Sequence, residues 1–116
     1  MIFGIGVDLV EMPRIERLLA QYGDRFARRV LTDLEWPGYQ RTGKPAFFVA
    51  NRFAAKEAFS KAMGTGFRYP VTLQNISVVQ NKAGKPSYAL SEPLMAMMNE
   101  HQITGHHLTI SDEKSM

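Results

Sequence analysis

The chain contains no cysteine, which excludes disulfides, thiolate catalysis and cysteine-ligated zinc. It has no apolar run long enough to span a bilayer, and its N-terminus lacks the basic start and apolar stretch of a signal peptide. A cytoplasmic protein is the default expectation. Internal repeats, low-complexity segments and a glycine-rich phosphate loop are also missing. Gly4-Ile5-Gly6 is too short for a dinucleotide fingerprint, and Gly64-Thr65-Gly66 follows a helical stretch instead of opening one. No serine, histidine and acid arrangement stands out. What is present is 116 residues with 45% hydrophobic content, enough for one domain over 1–116 with a single modest core. The net charge of +3 suits an acidic partner or a phosphate-bearing ligand.

The richest stretch is Arg52-Phe53-Ala54-Ala55-Lys56-Glu57-Ala58-Phe59-Ser60-Lys61-Ala62-Met63-Gly64. Its alanines and phenylalanines favour a helix, with Gly64 as a left-handed stop, and the helix can begin as early as Pro45. At about 100° per residue, Ala54, Ala55, Ala58 and Ala62 gather on one side, where a sheet would approach closely. Glu57 and Lys61 lie off that side, one turn apart, the spacing of an ordinary surface ion pair. Their company favours chemistry. The run Ile2 to Glu11 reads as a strand with Asp8 inside it, and a buried aspartate needs a cation or hydrogen-bond donors. Two carboxylates from different elements, with a lysine beside them, suit Mg²⁺ holding a phosphate.

From residue 13 to 31, Pro13 opens a helical pattern with Ile15, Leu19, Phe26 and Val30 as its apolar stripe. If the helix continues through Gly23 and Asp24, Arg14, Arg17, Arg25, Arg28 and Arg29 share one face with Leu18 among them. The bland alternative is a solvated helix face. Such a face suits an acidic helix or nucleic-acid phosphates, since arginine binds carboxylates and phosphates bidentately, and the leucine favours a protein. Thr32 with Glu35 fits a capping box for a short helix that Pro37-Gly38 breaks or bends. Trp36 reads as packing. Val71 to Val79 and Ser87 to Leu90 read as strands joined by a turn at 81–86. A second amphipathic helix follows Ser91, with Leu94, Met95, Met97 and Met98 facing core or interface. His106 to Asp112 reads as a last strand on which the adjacent histidines point to opposite faces.

Three motifs occur in order: Gly4 to Glu11, Arg52 to Gly66, and His107-Leu108-Thr109-Ile110-Ser111. Together with Arg14, Arg29 to Thr32, Glu35 and the Gly84-Lys85-Pro86 turn, they make the chain resemble the holo-acyl-carrier-protein synthase family, the small bacterial phosphopantetheinyl transferases. The resemblance implies an α+β fold with an antiparallel sheet packed on a long central helix. It implies Mg²⁺-dependent transfer of 4′-phosphopantetheine from coenzyme A to a serine of apo acyl carrier protein, in fatty acid biosynthesis. By the same resemblance, Asp8 and Glu57 hold the metal, Lys61 contacts the pyrophosphate, and Arg52, Gly64 and His107 sit in the coenzyme A pocket. Catalysis falls to Glu57 and Lys61. Arg14, Arg25 and Arg29 meet the acidic carrier, and the subunits form a homotrimer with coenzyme A at the seam, without nucleic-acid or membrane partners. Family members continue into one more strand beyond the point where this sequence stops, implying a longer chain. On the residues alone, a non-catalytic basic binding module and a metal-free coenzyme A-dependent acyltransferase remain open.

Overall fold

The computed structural model describes residues 11–100, so the expected strands around Asp8 and His107 lie outside the described residues. The chain begins with α1 (Glu11–Tyr22) and α2 (Asp24–Val30), which are two helices where periodicity suggested one. Gly23 separates them at φ 59°, a backbone conformation that a side chain resists and glycine accepts. The apolar stripe survives the break, because Ile15, Ala27 and Val30 are all buried in one cluster with Leu31, Trp36, Val49 and Ala50.

At the next turn the Thr32 N–H donates to Glu35 Oε1 at 2.8 Å, the returning half of a capping box. The Thr32 hydroxyl instead pairs with Ser77 Oγ at 2.6 Å. Helix α3 (Trp36–Arg41) follows, with Pro37 in its first turn. Pro37-Gly38 therefore opens this helix and does not break it, since a first-turn proline gives up only an N–H that has no helical partner anyway. Gly38 also lets α3 approach α4, as a Cβ there would lie 2.9 Å from Phe48 Cζ.

Helix α4 (Pro45–Met63) is the spine of the fold and starts at the proline expected to open it. Its N-terminal half feeds the first cluster through Val49 and Ala50. Its C-terminal half sends Phe59 into a second cluster with Val71, Ile76, Leu94 and Met98. The buried face is not the alanine face: Ala55 is buried, Ala54 and Ala58 only partly, and Ala62 is exposed, while Asn51, Lys56 and Ser60 turn inward. These polar groups can be buried when hydrogen-bonded, so hydrophobicity alone misplaced the phase of the helix.

The long strand expected from Val71 shortens to β1 (Ile76–Gln80), preceded by a 3-10 turn at Leu73–Asn75. It pairs antiparallel with β2 (Pro86–Leu90), Ile76 opposite Leu90 and Val78 opposite Tyr88. Gly84 at φ 82° closes the turn between them. The pair packs on α4 as expected for an α+β fold. Tyr88 meets Phe59 edge-on at 5.0 Å and donates its hydroxyl to the Ala55 carbonyl at 2.8 Å. Helix α5 (Glu92–Glu100) buries Leu94 and Met98 but leaves Met95 exposed.

Candidate active site

Four of the expected site residues, Arg52, Glu57, Lys61 and Gly64, lie on or just past α4, the last three toward its C-terminal end. Glu57 is partly buried and Lys61 exposed, about 40° apart around the helix. Among the described residues they form no ion pair with each other, so the surface-pair expectation is not met. Gly64 ends the helix at φ 78°, its N–H donating to the Lys61 carbonyl at 3.0 Å. The chain thus reverses beside Lys61. Asp8 and His107 lie outside the described residues.

Arg52 does not join this group. It stands about 140° around α4 from Glu57 and about 180° from Lys61. Its guanidinium carbon sits 3.8 Å above the Phe48 ring, and it lines a hollow of about 430 Å³ with Arg41, Gly38 and Val78. Its Nε is buried without a hydrogen-bond partner among the described residues. Burial lowers its pKa and nearby Glu35 opposes that shift.

The residue that sequence reasoning passed over is Lys56, which is fully buried. Its ammonium donates to Glu35 Oε1 at 2.6 Å, to the Val30 carbonyl at 2.6 Å and to the Leu73 carbonyl at 3.0 Å. All three ammonium protons are used, the condition under which a buried charge is tolerated. Burial nevertheless lowers the Lys56 pKa, and the attraction of Glu35 only partly offsets it. Glu35, read from sequence as a cap, also accepts the N–H of Val78 at 2.8 Å on its other oxygen. One ion pair therefore ties α2, α3, α4 and β1 together, next to Glu57. Its signal in the sequence was phase, since Lys56 lies on the same helical face as Phe59.

The arginines divide among different roles. Arg25, Arg28 and Arg29 line an open hollow of about 920 Å³ with Leu18, Tyr22, Asp24 and Phe26. Arg28 is engaged locally, bonding Asp33 at 3.0 Å and stacking 3.7 Å above Trp36. Arg14 and Arg17 are exposed on α1. No cluster of three metal-ligating side chains occurs among the described residues. A pair of carboxylates is a set that Mg²⁺ accepts, with water and substrate oxygens filling the rest, and Glu57, partly buried on α4, carries one carboxylate.

This arrangement of a charged long helix, a short antiparallel sheet and a basic helix pair has a known counterpart. The chain belongs to the 4′-phosphopantetheinyl transferase superfamily, whose family model matches residues 4–111. More particularly, it is 54% identical over 116 residues to the holo-[acyl-carrier-protein] synthase of Nitrosospira multiformis, covering 100% of this chain and 93% of that protein. The fold matches the crystal structure of the holo-[acyl-carrier-protein] synthase of Neisseria meningitidis with a TM-score of 0.76 at 43% identity, covering 90% of this chain and 83% of that one. It matches the Bacillus anthracis holo-(acyl-carrier-protein) synthase, solved in complex with CoA (3′,5′-ADP), with a TM-score of 0.60 at 43% identity, covering 77% and 76%.

Proposed function

We infer that this protein is an enzyme that transfers the 4′-phosphopantetheine arm of coenzyme A to a serine of apo acyl carrier protein, releasing adenosine 3′,5′-bisphosphate. The observation that carries this reading is the 54% identity to a holo-[acyl-carrier-protein] synthase along the whole chain. The serine oxygen bonds to the phosphorus bearing the pantetheine arm, and the bond from that phosphorus to the bridging oxygen breaks. The electron pair leaves on adenosine 3′,5′-bisphosphate. Glu57, or a water beside it, takes the serine proton, and the exposed Lys61 ammonium stabilises charge growing on the leaving phosphate. Asp8 and Glu57 would hold Mg²⁺, which when bound would neutralise pyrophosphate charge.

Arg52, Gly64 and His107 complete the coenzyme A pocket in this reading. Because Arg52 and Lys61 lie on opposite sides of α4, a coenzyme A meeting both kinds of group is best accommodated between copies, in keeping with the homotrimer that the family resemblance implies. The exposed Arg14, Arg25 and Arg29 receive the acidic carrier. We place the reaction in the cytoplasm, serving fatty acid biosynthesis, within one domain over 1–116; the family resemblance supports these assignments.

The test is intact-mass spectrometry of apo acyl carrier protein incubated with coenzyme A and the enzyme. A gain of one phosphopantetheine is expected with Mg²⁺ and none after chelation. Glu57→Gln should slow the gain by roughly 10²-fold or more while carrier binding persists. No gain with several carriers from folded protein would overturn the reading, and a gain surviving chelation would overturn the metal assignment.

A further inference from the structure

The last carbonyls of a helix have no partner within it, and α2 is only seven residues long, too short to hold its own geometry. Its end is held from outside. The Gln74 side-chain amide donates to the carbonyls of Arg28 at 2.8 Å, Arg29 at 3.1 Å and Leu31 at 3.2 Å. The remaining carbonyl of that run, Val30, accepts from Lys56 at 2.6 Å. Four consecutive carbonyls are thus taken by two side chains, one from the 3-10 turn before β1 and one from the residue next to Glu57. The two clamps are themselves joined, since Lys56 also holds the carbonyl of Leu73, the neighbour of Gln74.

We propose that Gln74 and Lys56 are positioning residues that fix the arginine-bearing α2 to the helix carrying Glu57 and Lys61, so that a carrier docked on the arginines is aligned for transfer. This rests on the reading that α1 and α2 receive the carrier. Gln74 suits the role because its two N–H groups, shared among three carbonyls, constrain direction more than they add strength. It is exposed, so replacing it removes no buried apolar contact.

The experiment measures KM for apo acyl carrier protein and for coenzyme A separately, with melting midpoints, in wild type, Gln74→Ala, Gln74→Glu and Gln74→Lys. Gln74→Glu keeps the shape but sets oxygens against carbonyls, whereas Gln74→Lys restores a donor. The alanine and glutamate variants should raise KM for the carrier roughly five- to tenfold, with KM for coenzyme A within about twofold of wild type, and the lysine variant should recover most of the loss. Combined with Arg25→Ala, the effect of Gln74→Ala should shrink, since both act through α2. Two unchanged KM values, two that rise together with a falling melting midpoint, or full additivity with Arg25→Ala would overturn the proposal. A wild-type enzyme that modifies no carrier would overturn the functional reading itself, and the proposal with it.

Discussion

Lys56 concentrates more structural consequence than any other side chain among the described residues, since its ammonium joins Glu35 and two carbonyls with no access to solvent. Removing one partner of a buried pair leaves the other charge unpaired. Lys56→Met should therefore lower unfolding stability by roughly 3–5 kcal/mol. Adding Glu35→Gln should recover part of that loss, because the neutral amide keeps an oxygen for one of the two backbone N–H groups Glu35 now serves and no longer needs a cation. Urea unfolding of both variants checks this, and a double variant no more stable than the single one would contradict it. Gly64 makes a smaller demand at the same scale. With φ 78° and open space around it, Gly64→Ala should cost about 1 kcal/mol of stability through backbone strain alone.

Between elements, α3 approaches α4 closely at Gly38 and Phe48. Phe48 is also the platform for Arg52. Alanine is ordinarily the better helix former by about 1 kcal/mol, yet Gly38→Ala would press a methyl group into the Phe48 ring and tilt the surface on which the guanidinium rests. The expected result is a KM for coenzyme A raised about three- to tenfold, the worth of a cation–π contact, with KM for the carrier unchanged. A variant that is more stable and binds coenzyme A normally would mean that Phe48 yields without moving Arg52. The Gly23 break belongs to this scale too. It ends the helical run of α1, so the direction of α2 is set by its buried Ala27 and Val30 together with the bonds from Gln74 and Lys56.

For the molecule as a whole, a net charge of +3 understates how positive one side is, because Arg25, Arg28 and Arg29 share a hollow in which Asp24 is the only acid among the described residues. If that hollow steers an acidic carrier, Arg25→Glu with Arg29→Glu should raise the carrier KM by roughly tenfold or more at low salt and flatten its dependence on ionic strength. Unchanged salt dependence in the charge-reversed enzyme would place carrier docking elsewhere. Arg28 is a poorer test, since its ion pair with Asp33 and its stacking on Trp36 mix docking with stability.

What the sequence determined by itself was local or carried by ordered motifs: the long helix from Pro45 to its glycine stop, the Thr32–Glu35 turn, the hairpin closed at Gly84, and the family, which the match over residues 4–111 bears out. Each depends on neighbours within a few positions or on residue identities in order, both of which a sequence displays directly. Only the tertiary structure decided that Lys56 points inward, that the alanine face of α4 is not its packed face, that Val71 to Asn75 leaves the strand, and that Arg52 stands away from Lys61. A lysine's direction cannot be read from periodicity, because solvent is its default and burial requires acceptors that arrive from α2, α3 and the 3-10 turn. Helical spacing gives the angle between side chains on one helix, but which of those angles meets a neighbour is set by packing between elements far apart in the chain.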